Sequence, residues 1–400
     1  MRPSTSRPSP SFFFSHAYIY PNSHVRHVCS PHRFTLPRKM ISWGDIYKVV
    51  VAMAPLYVAL GLGYGSVRWW RIITPEQCEA INRLVSCITL PLFTFEFTLH
   101  VDPFAMNYRF IAADAVSKVI IAVLLAAWPK CSSKGSYCWS VTSFSLSTLT
   151  NSLVVGVPLV SAMYGRWAQD LVVQLSVVQA IVWLTLLLFV FELRKAGCGL
   201  FSIAAAPSSA GGELASVESP PLKDVDSGGP EVTPRPSFWS LMKTVWLKLA
   251  LNPNSYASIV GITWAFIASR WHFEMPSIME GSILIMSKAG TGMAMFSMGL
   301  FMALQEKVLA CGPSLTAFGM VLKFIAGPAA TAIGAIAVGL RGDVLHLAII
   351  QAALPQSITS FIFAREYGLH ADVLSTAVIF GMLVSLPVLV AYYVVLGFMS

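Results

Sequence analysis

Charged side chains are scarce in this chain. Asp, Glu, Lys and Arg make up 12% of its 400 residues, against roughly 25% in ordinary soluble domains. Hydrophobic residues make up 56%, in blocks too long for the alternating runs of a soluble core. So few charges cannot clothe a water-soluble globule of this size, which excludes a string of soluble domains. Cysteine is sparse as well. The seven residues Cys29, Cys78, Cys87, Cys131, Cys138, Cys198 and Cys311 include no Cys-x-x-Cys pair, so neither a zinc site nor a disulfide scaffold is expected. No Gly-rich phosphate loop, His-Glu-x-x-His motif or Ser/His/Asp arrangement is readable. An enzyme, a metal and a cofactor are therefore not expected. The net charge of +8 does not describe a nucleic-acid binder, because six of the 27 Lys/Arg lie in the first 39 residues and most others fall in short gaps between apolar blocks.

What remains is the composition of an all-α integral membrane protein. From Met40 onward, windows long enough to cross a hydrocarbon core of roughly 30 Å recur. They lie near 46–66, 80–100, 110–128, 139–162 and 170–192, then 251–269, 280–304, 314–340, 343–364 and 371–397. That makes ten spans, five on each side of a segment rich in Ser, Pro, Gly and Ala. The division expected is a disordered extension over 1–39 ahead of an alternative start at Met40, a first five-helix repeat over 40–196, a flexible cytosolic loop over 197–245 and a second repeat over 246–400. The loop composition buries too little apolar area to offset the entropy of ordering.

Basic residues orient the spans. Alternate gaps hold Arg68, Arg71, Lys130, Lys134, Arg194, Lys195, Lys223, Arg235, Lys243, Lys248, Lys307 and Arg365, whereas the other side has Lys48, Arg109, Arg166, Arg270 and Arg341. The richer side belongs in the cytosol. An odd number of spans per half requires the two halves to be inverted. Leu149-Thr150-Asn151-Ser152-Leu153 resembles Leu354-Pro355-Gln356-Ser357-Ile358 at an offset of 205 residues, and each is followed by a Tyr-Gly pair.

Inverted-repeat carriers bind substrate near the midplane, where interrupted helices expose their ends. The fourth and ninth spans have the composition for such breaks, at Thr150, Asn151 and Pro158 and at Pro355, Gln356 and Ser360. Proline removes a backbone donor, and neighbouring polar side chains satisfy the freed groups. The same residues also serve plain helix packing in membranes. Charges inside spans are the second signal, because they are costly unless paired. Asp114 and Lys118 share one face of the third span at a spacing of four, Lys323 lies in the equivalent eighth span, and Gln179 can join them. A static pair and a gating or proton-exchange role both fit. His346 is the histidine that falls inside a span, where a structural role is expected.

Several stretches resemble the PIN-formed auxin efflux carriers of plants. They are Trp43-Gly44-Asp45-Ile46-Tyr47, Ala54-Pro55-Leu56-Tyr57-Val58, Thr74-Pro75-Glu76-Gln77-Cys78, Asn252-Pro253-Asn254-Ser255-Tyr256-Ala257, Gly292-Met293-Ala294-Met295-Phe296-Ser297, Gln351-Ala352-Ala353-Leu354-Pro355-Gln356 and Val378-Ile379-Phe380-Gly381-Met382-Leu383. The resemblance runs from Met40 to the C-terminus. It implies ten helices in two inverted repeats with the fourth and ninth crossing, a scaffold plus a transport domain, an elevator-like motion, and a homodimer in membrane lipid that exports indole-3-acetate and related aromatic acid anions. It places the substrate at Thr94, Asn151, Val154, Gln179 and Ile362, and a supporting cluster at Asp114, Lys118 and Gln179. The short central segment resembles the short-looped class and implies the endoplasmic reticulum rather than the plasma membrane. Thr150 and Ser360 stand where the family usually has crossover prolines, and Lys288 where it usually has an acid. Those departures keep open a non-transporting regulatory partner of an active carrier, and the inverted fold itself also fits a cation-coupled organic-anion symporter.

Overall fold

The computed structural model describes residues 43–104, 106–132, 136–195, 238–271, 273–305 and 310–399. The extension over 1–39, Met40 and most of the expected central loop lie outside them. Every regular element among the described residues is helical. In order these are α1 (Trp43–Arg68), α2 (Pro75–Leu99), α3 (Tyr108–Cys131), α4 (Tyr137–Thr148), α5 (Ser152–Tyr164), α6 (Arg166–Lys195), α7 (Phe238–Leu251), α8 (Pro253–Trp271), α9 (Ser277–Leu304), α10 (Pro313–Ala337), α11 (Asp343–Ala352), α12 (Ile358–Glu366) and α13 (Ala371–Met399). Seven of these are long and apolar enough to cross a membrane: α1, α2, α3, α6, α9, α10 and α13. Helices α5 and α11 are apolar but shorter, because the expected fourth and ninth spans are each broken in two.

Local chemistry sets the starts. Thr74 caps α2 reciprocally, its Oγ1 accepting from the Gln77 amide (3.4 Å) while Gln77 Oε1 accepts from the Thr74 amide (3.0 Å), and Pro75 follows at a position that needs no donor. Asn107 Oδ1 accepts from the Phe110 amide (3.1 Å) to start α3. Within α4 the hydroxyls turn back onto their own helix: Ser147 Oγ donates to Ser143 O (2.8 Å) and Thr148 Oγ1 to Phe144 O (2.6 Å). A serine-rich helix can thus be buried without stranded hydroxyls at these positions.

One stretch departs from the expected layout. The loop expected over 197–245 gives way to helix at Phe238, since α7 covers Phe238–Leu251. Val245 is fully buried and packs with Leu184, Leu187, Leu188 and Phe191 of α6, while Trp239 and Trp246 stay exposed. One buried contact and an apolar outer face are enough to order a segment that the neighbouring Ser/Pro/Gly composition had masked.

The packing respects the 205-residue offset. Helix α1 packs along α9 as α8 packs along α2, α3 packs on α4 as α10 packs on α11, and α3 and α10 pack on each other. The far ends of α5 and α12 are also tied alike. The Tyr393 hydroxyl donates to Met163 O (3.1 Å), and the Arg194 guanidinium to Tyr367 O (2.9 Å).

Glycine sets the closest of these contacts. A Cβ on Gly299 would lie 2.0 Å from Leu60 O, and one on Gly63 would lie 2.1 Å from Phe296 O, so α1 and α9 touch backbone to backbone. Gly299→Val should therefore separate the two helices and destabilise the fold by about 1–3 kcal/mol. Gly61→Ala, where a Cβ meets nothing within 4 Å, should be near neutral. Thermal unfolding of the two variants side by side measures the difference.

Candidate functional site

The two broken spans meet at their breaks. After Thr148 the backbone goes extended at Leu149 (φ −87°, ψ 126°), and after Ala352 it leaves the helix until Ser357 (ψ 131°). Pro355 has no N–H to continue α11. Between the breaks the chain makes a single antiparallel bridge, Thr150 to Gln356, with the Asn151 amide donating to Pro355 O (2.8 Å). Four helix ends converge here: the C-termini of α4 and α11, which carry partial negative charge, and the N-termini of α5 and α12, which carry partial positive charge.

Buried side chains secure the bare main chain. Gln179 Nε2 donates to Thr150 O (2.8 Å), and its Oε1 accepts from the Thr150 amide (3.2 Å) and hydroxyl (3.3 Å). Both ends of the amide are engaged by Thr150, so Gln179 supports the crossing in this conformation, with one Nε2 hydrogen not used by it. Gln356 Nε2 donates to Ser145 O (2.9 Å) and to Ser360 Oγ (2.7 Å), and Ser360 Oγ donates to Ser357 O (2.7 Å). Ser360 thus binds the carbonyl side of a break that a proline would have made by subtraction. Pro158 sits inside α5, at the second residue after the π turn Ser152–Gly156, where the helix returns to α geometry.

Lys323 supplies the strongest single tie. It is fully buried, and its Nζ donates to Leu149 O (3.0 Å) at the carbonyl end of α4. It can approach because Gly327, one turn on, has no side chain; a Cβ there would lie 2.4 Å from Ser147 O. Lys118 is its counterpart at the same 205-residue offset, but bonds Asp114 Oδ2 instead (2.8 Å) and stands 5.0 Å from the centre of the Trp183 ring. Gln179 and Lys323 each lie in a π turn, Gln179–Trp183 and Leu322–Ala326, a distortion frequent at functional positions.

Asp114, Lys118, Thr148, Thr150, Gln179 and Gln351 line a cavity of about 20 Å3 beside the crossing. That space is the size of a water rather than of an aromatic acid. Gln351 escaped sequence reasoning. Its Nε2 donates to Ser152 Oγ (2.5 Å), while its Oε1, like that of Gln356, has no donor among the described residues.

The other predicted substrate residues are not gathered in that cavity. Asn151 is half-buried, and its side-chain amide has no partner among the described residues, unlike its repeat counterpart Gln356. Val154 is buried in the π turn Ser152–Gly156 that opens α5. Thr94 is buried where α2 meets α8, its hydroxyl donating to Asn254 Oδ1 (2.5 Å). Ile362 on α12 is 49% exposed. Lys288 is exposed on α9, next to Ser287, whose hydroxyl donates to Glu96 Oε2 (3.2 Å).

Comparison with known proteins agrees with a carrier. Residues 48–393 match the family described as membrane transport protein. Auxin efflux carrier component 5 of Arabidopsis thaliana is 69% identical over 359 residues, covering 90% of this chain and 99% of that protein. Probable auxin efflux carrier component 5a of Oryza sativa subsp. japonica is 66% identical over 359 residues, covering 89% and 99%. Auxin efflux carrier component 4 of Arabidopsis thaliana is 31% identical over 617 residues, covering 90% and 100%, and is thus a much longer chain. With a matched stretch reaching from α1 into α13, this chain belongs to the membrane transport protein family, and it is a multi-pass membrane carrier rather than an enzyme.

Proposed function

We propose that the chain moves the indole-3-acetate anion out of the cytosol as a secondary carrier. The observation that carries this reading is the Asn151 amide, without a partner among the described residues at the point where two broken helices cross, in a chain 69% identical to an auxin efflux carrier component. The carboxylate is bound by that amide and by the uncapped N-terminal turn of α5, where main-chain N–H groups favour an anion. Thr94, Val154 and Ile362 provide the neighbouring walls, and the indole lies against apolar surface. Asp114, Lys118, Gln179 and Lys323 hold the crossing rather than the ligand. In the ten-span, inverted-repeat reading, α1, α2, α8 and α9 form the scaffold and the remaining spans form the body that moves, in an elevator-like step between two copies of a homodimer. Moving one charge through 100 mV is worth about 2.3 kcal/mol, so the anion's own gradient suffices as a driving force.

Labelled indole-3-acetate loaded into vesicles tests this. Wild type should release it faster than protein-free vesicles, and Asn151→Ala should slow release by about tenfold, the worth of one hydrogen bond to a charged group. Wild-type flux equal to that of a bare membrane would end the proposal. The near-equal length of this chain and component 5, against the much longer component 4, favours the short-looped class and with it the endoplasmic reticulum. A fluorescent fusion of the full chain locates it, and plasma-membrane signal alone would overturn that assignment.

A further inference from the structure

We propose that the turn joining α10 to α11 holds the phosphodiester of a membrane phospholipid. This site lies apart from the helix crossing and does not depend on which anion the carrier moves.

A cavity of about 470 Å3 opens at this turn, with Arg341, Gly342 and His346 on its polar side and Ile336, Leu345 and Met399 on its apolar side. The N-terminus of α11 points into this region. Its cap residue is Gly342, at φ +60°, and no side chain caps it, so the first-turn N–H groups are available to an anion. A helix start alone would be weak ground. His346 supplies independent support: it is 7% exposed, it lines the cavity, and its ring has no hydrogen-bond partner among the described residues. Neither ring nitrogen is among the sealed, unpartnered polar atoms, so the imidazole N–H is open to the cavity, where a phosphate oxygen would accept from it. Arg341 adds a guanidinium that is exposed and has no carboxylate partner among the described residues, with a fork geometry suited to phosphate. Asp343, the acid of this turn, is exposed and is not part of the cavity wall.

The apolar side argues for a lipid over a free phosphate. Ile336 is 62% exposed, Met399 75%, and Ile333, one turn further along α10, 60%. An apolar face therefore runs from the polar turn down a helix long enough to span the membrane. Cationic groups at the end of such a face match the level of headgroups, with acyl chains lying below them.

Photolabelling tests the assignment. The full chain is reconstituted in phosphatidylcholine vesicles with a trace of phosphatidylglycerol that carries a diazirine near the glycerol. After irradiation and digestion, label should concentrate on peptides covering 333–346. Arg341→Gln should lower that labelling about fivefold, the usual worth of one basic residue at a membrane surface, and Arg341→Lys should recover most of it. Arg341 is exposed, so neither variant threatens the fold, and His346→Leu should lower labelling in the same direction. Equal labelling in wild type and Arg341→Gln would overturn the proposal. So would displacement of the label by inorganic phosphate or by indole-3-acetate, either of which would make this a site for a soluble anion.

Discussion

Lys323→Met should leave the protein folded and cut transport by about fivefold or more. Two stability effects oppose each other. Removing a fully buried amine relieves a desolvation penalty of about 1–3 kcal/mol, while Leu149 O loses its donor at a cost of about 1–3 kcal/mol. Met nearly matches the lysine stem in length and leaves little void. The balance in unfolding free energy should thus be smaller than either effect. The crossing has no such compensation. Leu149 is the first extended residue after α4, and the bond from Lys323 Nζ (3.0 Å) is what fixes its carbonyl. Losing about 1–3 kcal/mol of that preference corresponds to roughly 5- to 150-fold in rate, where the transport step needs this geometry. Thermal unfolding and labelled efflux, measured on the same preparation, separate the two. Unchanged efflux would reduce Lys323 to a buried group with no part in transport.

The sites of the breaks were readable because breaks need particular residues. Pro355 cannot donate, and Asn151, Ser152, Gln356 and Ser357 carry the polar atoms that exposed main chain requires. Asp114 and Lys118 were readable because helical spacing alone puts them on one face, and the bond of 2.8 Å follows. Lys323 was found as a residue but not as a function. Its partner is a main-chain carbonyl 174 positions away, and no side-chain type marks a carbonyl that will need a cation. Gln179 shows the same limit from the other direction. A glutamine amide reads as a free donor for an anion until the fold brings Thr150 to both of its ends. The π turns at Gln179–Trp183 and Leu322–Ala326 left no trace in the sequence, because one extra residue shifts the phase of a helix only slightly where every face is apolar. Helix α7 was hidden differently: its Trp and Leu spacing was averaged into the Ser/Pro/Gly stretch before it.

Asp114→Asn should destabilise the protein by about 3–5 kcal/mol, since it leaves the Lys118 ammonium buried without its counter-charge. The side chains of Lys118 and Asp114 are 7% and 17% exposed, so solvent screens little of that loss. The Trp183 ring at 5.0 Å offsets part of it, by about 0.5–2 kcal/mol for a cation over an aromatic face. Lys118→Met should cost a similar amount by stranding the carboxylate. Combining the two as Asp114→Asn with Lys118→Met removes both charges at once, and most of the stability should return, as it does when a buried ion pair is replaced by neutral groups. Efflux of labelled indole-3-acetate by that double variant then decides what the pair is for. If the charges only join one turn of α3 to the cavity wall, transport recovers together with stability. The neighbourhood argues the other way. The pair borders a cavity with room for one water, and that cavity is also lined by Gln351 and Ala352 at the carbonyl end of α11. Lys118 therefore faces the carbonyl end of α11 across that cavity, whereas Lys323 bonds the carbonyl end of α4 directly. The double variant should accordingly regain its unfolding temperature while its efflux stays at least about tenfold below wild type, an interaction worth 1.4 kcal/mol or more in the transport step.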